Sequence, residues 1–265
     1  MDTHRRTLGT CGDPGQLSGV VSVDEFSEQK RSDSWRYAVQ FAIQGDVRFL
    51  SHHDTMRMFE RAATRAGLPL RYSEGFNPNP KLMLPLPRPV GVAGLEEWML
   101  LQLREPIEPA AVCGNLAEHV PEGVRLAGCR WAPGSASWQA KDALYEVPLD
   151  GDLAALLPER IARVMAAASG VLTRRMGPGR PAKSIDARRF VLGLDMHDQR
   201  LAMRVSFESG ATARPSEVLE LLGLPVQPYV SRVTRVHITW GPRDLSDKSV
   251  STSHPAPAKE AGSNE

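Results

Sequence analysis

Residues 48–81 read RFLSHHDTMRMFERAATRAGLPLRYSEGFNPNPK, and the organisation of the chain follows from how this stretch passes from helix to loop. Ser51, with Asp54 three residues on, is a capping-box-like start. The hydroxyl accepts from an orphan amide of the first turn, and the carboxylate sits at the positive end of the helix dipole. Met56, Phe59, Ala63 and Ala66 then form one apolar stripe at helical spacing, and Gly67 with Leu68 and Pro69 stops the helix. On another flank Arg57, Arg61 and Arg65 recur every fourth residue, so three guanidinium groups stand about one turn apart. Such a ridge is either a solvated face partly offset by Asp54 and Glu60, or an anion site, because the planar fork of arginine suits phosphate.

After a short extended run at 70–72 comes Ser73-Glu74-Gly75-Phe76-Asn77-Pro78-Asn79-Pro80-Lys81. Glycine permits positive φ, the prolines fix φ, and Asn77 and Asn79, each preceding a proline, are pushed out of α geometry. The loop is therefore stiff for its polarity. An acid, an aromatic and a cation (Glu74, Phe76, Lys81) on a stiff loop suit a binding site, the other reading being a purely structural turn.

Outward from this stretch, 37–43 reads as a strand ahead of the helix, 97–103 as a largely apolar central strand, 109–119 as a helix with Pro109 in its first turn, and 124–131 as a strand. That order is a β-α-β-β-α-β unit. Residues 131–142 form a plausible linker. Beyond it, 144–149 reads as a strand, 158–168 as a helix and 171–176 as a strand. Strands at 187–195 and 201–208 flank a turn at His197 and Asp198, and a helix at 214–222 and a long strand at 229–240 follow. The expected fold class is α+β, with two tandem ferredoxin-like sandwiches at 35–132 and 143–243. Polar tails at 1–34 and 244–265 are expected to be disordered.

Length and composition bound the function. The chain has 265 residues, 42% of them hydrophobic, and a formal net charge of +1, so a globular core is affordable and any nucleic-acid surface must arise from local arginine clusters. One such cluster is TRRMGPGRPAKSIDARR at 173–189. It holds Arg174, Arg175, Arg180, Lys183, Arg188 and Arg189 against the single acid Asp186, with glycines and prolines that make it project. Phosphate contact and a merely solvated loop are the two readings. The aromatics best placed for stacking are Tyr72, Phe76 and Phe190, and no strand motif for RRM-style readout is present. Neither a Walker A loop nor G-x-G-x-x-G occurs.

Ser51-His52-His53-Asp54 is not a catalytic triad, because adjacent residues at a helix start point in different directions. Neither histidine has a second ligand at i+4, so no metal site is expected. Cys11, Cys113 and Cys129 have no cluster-binding spacing. No long apolar run and no signal peptide are seen, and the expected location is cytoplasmic, with reduced thiols and no membrane association.

The stretch FLSHHDTMRMFERAATRAGLPLRYSEGFNPNPK resembles the signature of the radical-SAM-linked protein family, a bacterial domain found fused to, or encoded with, radical SAM proteins. The later KSIDAR and RPSEVL segments are similar to that family too, and the likeness spans about residues 35–240. One departure is Asn79, which stands where the family's loop usually has histidine. The resemblance implies that the partner is a radical SAM protein carrying the iron-sulfur cluster and S-adenosylmethionine, with no cofactor in this chain. It also singles out His52 over His53.

Residues and resemblance together give the expectation of a non-catalytic, RNA-binding or substrate-presenting partner. Its substrate-binding side chains would be Ser51, His52, Asp54, Arg57, Arg61, Glu74, Gly75, Phe76, Asn77 and Lys81, and its RNA-binding cations those of the 173–189 cluster. The alternatives are an RNA-modifying enzyme using Asp54, Glu74 or Asp186 as acid-base group, and a protein-protein adaptor without nucleic acid.

Overall fold

The computed structural model describes residues 35–132, 138–176, 179–208 and 210–241. The tails expected at 1–34 and 244–265, Cys11, part of the expected linker, and Gly177 and Pro178 of the basic loop lie outside the described residues.

Strand β1 (Trp35–Ile43) feeds a short 3-10 turn at Gly45–Phe49 and then helix α1 (His52–Arg65). Ser51 caps α1 as its sequence requires: its side chain accepts from the Asp54 amide. The buried face is Thr55, Met58, Phe59, Ala62 and Ala63, rotated slightly from the expected stripe, so that Met56 and Ala66 only flank the core. Strand β2 (Leu82–Met83), the long β3 (Ala93–Leu103), helix α2 (Pro109–Ala117) and β4 (Val124–Trp131) complete the first half. Here the expectation of a strand at 70–72 fails: Leu70 and Tyr72 make only isolated bridges, to Leu103 and Pro80. The two prolines of the loop remove the amides that a ladder would need.

In the second half β5 (Gln139–Pro148) begins inside the stretch expected as linker, and α3 (Gly151–Ala166) starts seven residues before Pro158, which lies within it. The pairs β6 (Val171–Arg174) with β7 (Lys183–Asp186) form a separate two-stranded hairpin. Strands β8 (Val191–His197) and β9 (Arg200–Ser206) meet at Asp198 and Gln199, both with positive φ, as a two-residue hairpin turn requires. Residues 187–190, expected as strand, are instead a 3-10 turn at Arg188–Phe190. Helices α4 (Pro215–Leu221) and α5 (Val226–Val230) precede β10 (Thr234–Gly241), so the long strand expected from 229 starts five residues later.

The architecture is α+β with a mostly antiparallel sheet. The order is β4-β1-β3-β10-β5-β9-β8, with β2 on the flank of β3. The two halves do not carry separate sheets: β10 joins β3 in parallel at Thr234 with Ala93 and Arg235 with Gly94. Two apolar cores follow. Alternate residues of β1 and β3 (Tyr37, Val39, Phe41, Met99, Leu101) pack on α1 and α2, with Phe41 edge-on to Phe59 at 4.7 Å. The second core gathers Tyr145, Val147, Leu157, Met203, Val218 and Tyr229. Each fully buried large side chain contributes about 1.5–3 kcal/mol.

Candidate functional site

At the start of α1 Ser51 donates to Asp54 Oδ2 at 2.6 Å while its oxygen accepts from the Asp54 amide at 3.1 Å. That bond, together with the nearby Arg57 and His53, holds the Asp54 carboxyl below the usual carboxylate range. His52 lines a small cavity of about 10 Å³ with Thr55, Arg88 and Glu97, room for a single water. His53 is exposed, its ring 5.7 Å from that of His52. Arg57, Arg61 and Arg65 are exposed along the helix, and none of the three makes an ion pair among the described residues. Arg61 and Arg65 border an open groove of about 450 Å³ with Met58, Glu118 and His119.

The loop that follows is braced from inside. Lys81 N donates to Arg71 O at 2.7 Å, Ser73 N to Asn79 O at 2.8 Å, and Asn79 N to Ser73 Oγ at 3.0 Å. Beyond this double closure the chain turns through Gly75 at φ 130°, a conformation that side chains disfavour, and presents Phe76 fully exposed (107%) at the tip. Glu74 and Asn77 are exposed beside it. The Asn79 side chain donates through Nδ2 to Asn77 O at 3.1 Å, which stiffens the tip. None of Glu74, Phe76 and Asn77 bonds to α1 through its side chain among the described residues.

The basic cluster divides into bound and free cations. Arg174 is held by Glu217 through two bonds of 2.6 Å and by Thr212 O at 2.7 Å. Glu217 also accepts from the Arg214 amide, so Arg174 fastens the hairpin to α4. Arg188 donates to Val164 O at 2.8 Å, Met165 O at 2.8 Å and Val191 O at 3.0 Å, closing the carbonyl end of α3. Arg189 pairs with Glu208 at 2.8 Å. Asp186 accepts from Gly170 N at 2.8 Å. Arg175, Arg180 and Lys183 are exposed and form no ion pair among the described residues. Neither cavity above is shared by this cluster and the α1 ridge.

Sequence reasoning missed the junction of the halves. Arg235 (1% exposed) makes a bidentate pair with Glu97 (4% exposed), at 2.8 Å and 2.5 Å. Gly94, opposite Arg235 in register, leaves the space that the Glu97 carboxylate fills, where a Cβ would collide with it. Beside them Arg88 reaches Arg48 O at 2.7 Å and Val92 O. Burial pushes its pKa down to about 10, so it stays cationic at neutral pH. The available signal was an acid and an arginine each on an inward position of an otherwise apolar strand.

Also missed was a row of tryptophans. Trp98 lies 5.4 Å from Trp138, and Trp138 5.5 Å from Trp240, with the exposed Arg130 guanidinium 4.9 Å from the Trp98 ring and 5.9 Å from that of Trp138.

Among the described residues no group of three His, Cys, Asp or Glu could hold a metal ion. Burial pushes the Cys129 thiol up to about 12, which opposes the thiolate an iron-sulfur cluster needs. No described helix is long and apolar enough to cross a membrane.

These features define an α+β chain with two sets of exposed cations that form no ion pair among the described residues. The model of a family described as "Uncharacterized protein conserved in bacteria (DUF2344)" matches residues 36–215, and the chain belongs to that family. No curated protein matches it. A solved structure described as that of an unknown protein from Galdieria sulphuraria is similar at 12% identity, covering 80% of this chain and 99% of that one, with a TM-score of 0.22.

Proposed function

We propose that this chain is a non-catalytic, RNA-binding or substrate-presenting partner of a radical SAM enzyme, built from two ferredoxin-like units fused edge to edge and acting in the cytoplasm. Strand order supports the unit reading, since β4-β1-β3-β2 in the first half has the same antiparallel arrangement as β10-β5-β9-β8 in the second.

The observation that carries the RNA reading is the sorting of arginines. Arg174, Arg188 and Arg189 are tied to acids or carbonyls, whereas Arg57, Arg61, Arg65, Arg175 and Arg180 are exposed and form no ion pair among the described residues. Five exposed guanidinium groups outside any ion pair among the described residues, on a chain of net charge +1, suit a polyanion, which gains from counterion release. The three candidate acid-base groups favour a presenting role: Asp54 is held ionised by Ser51, Asp186 is engaged by a backbone amide, and Glu74 stands exposed at the loop tip.

Anaerobic affinity purification of the full chain tests the proposal. A radical SAM protein should co-purify with bound RNA, and high salt should release the RNA. Stoichiometric iron and acid-labile sulfide in the chain alone, or no radical SAM protein in the complex, overturns it.

A further inference from the structure

Beyond the cationic ridges, the face of the first-half sheet turned away from α1 and α2 has its own chemistry. Tyr37, Val39 and Phe41 point into the core, so Arg36, Ala38 and Gln40 of β1 occupy the other face. Register places Trp98 opposite Gln40, Leu100 opposite Ala38 and Gln102 opposite Arg36 on β3, with Arg130 and Gly128 of β4 opposite Ala38 and Gln40 on the other side. Gly128 and Ala38 leave a low tract across β1, and over it the Arg130 side chain reaches Trp98, two strands away.

The neighbouring strand pair explains why three tryptophans meet there. β3 and β10 share only two register positions. Farther along, the contacts from Trp98 to Trp240 run through Trp138, which lies just before β5. All three rings are only partly buried, and Arg130 is exposed. Arg130 has no acid partner among the described residues. An aromatic row flanked by a guanidinium that forms no ion pair among the described residues offers stacking surface and positive charge together. A nucleobase attached to a phosphate chain uses both.

We propose that Trp98, Trp138, Trp240 and Arg130 form a stacking site for an unpaired base of single-stranded RNA, an inference that rests on the RNA reading above. The base stacks on the indole row or on the Arg130 plane. Duplex RNA, whose bases are already stacked, has no group to place there.

The test titrates the full chain with oligouridylate, with duplex RNA of equal length and with heparin, a polyanion without bases, following both affinity and intrinsic tryptophan emission. Oligouridylate should quench saturably, and duplex RNA and heparin should bind with little quenching. Trp98→Leu and Arg130→Ala should each weaken oligouridylate about tenfold, about 1.4 kcal/mol, and leave heparin affinity as it was. Arg130 is exposed, so its removal keeps the fold even if Trp98→Leu does not, and circular dichroism checks both. If both variants bind oligouridylate like the wild type while Arg57→Glu with Arg61→Glu weakens it, the stacking site is wrong and the RNA reading stands. If the wild-type chain binds no oligouridylate, both fail. Loss of the radical SAM protein from Trp98→Leu with unchanged RNA affinity would reassign the row to protein docking and overturn the inference.

Discussion

Replacing Glu97 with alanine strips Arg235 of its carboxylate while leaving the guanidinium in the core. Arg235 is 1% exposed, and its bonds to Glu97 are 2.8 Å and 2.5 Å; the Leu86 and Pro87 carbonyls at 3.4 Å and 3.2 Å are the longer contacts that remain, with Tyr145 beside it. Breaking a buried pair from one side costs about 3–5 kcal/mol, because the surviving charge is neither solvated nor paired. For a domain of about 200 residues each kcal/mol lowers Tm by about 2–4 °C, so Tm should fall by about 6–20 °C. Glu97→Leu combined with Arg235→Met should recover most of that loss, since an apolar pair carries no desolvation penalty. Urea denaturation of the three proteins decides the matter. A loss below about 1 kcal/mol for Glu97→Ala, with the double variant no better than the single, would refute the idea that this pair fastens the two halves through β3 and β10.

Ser51→Ala should cost about 1 kcal/mol by leaving an orphan amide at the start of α1. Asp54 is held below its unfolded pKa in the folded chain; its contribution is therefore present above about pH 4 and lost as pH falls through the lower folded value. An acid denaturation curve that Ser51→Ala leaves unchanged would contradict this. Arg174→Ala should destabilise by about 3 kcal/mol because Glu217 is left buried without its partner, whereas Arg175→Ala should stay within about 0.5 kcal/mol; equal effects in thermal melts would undo the division between bound and free cations. Phe76→Ser should leave Tm unchanged or slightly raised, since the ring is fully exposed. A loss above about 1 kcal/mol would show that the tip is packed in solution.

How much of this was legible in the sequence depends on whether the signal was local. The α1 cap, the stop at Gly67 and the stiff loop were readable because each rests on residues within one turn of each other. Strands β1, β3 and β4 were readable from alternation. What failed were positions where tertiary packing outweighs local preference: Pro158 falls inside α3, and 226–230 turns helical before β10 although its residues suit a strand. The joining of the halves into one sheet was out of reach, because Gly94, Glu97 and Arg235 lie up to 141 residues apart by number and only register brings them together. The basic cluster looked uniform as a string, yet the fold gives Arg174 and Arg188 structural partners and leaves Arg175, Arg180 and Lys183 in water. The tryptophan row was missed for the same reason.

The most direct test of the central claim is the salt dependence of RNA affinity, measured on the full chain and on Arg57→Glu with Arg61→Glu. Each phosphate neutralised on a single strand contributes about 0.7 to the slope of log K against log salt, so contact through the three arginines of α1 predicts a slope of about −2 or steeper. The double substitution should flatten that slope by about one unit or more and lower affinity more than tenfold, with circular dichroism unchanged. An affinity indifferent to both salt and the two substitutions, in a chain that remains folded, would contradict the account.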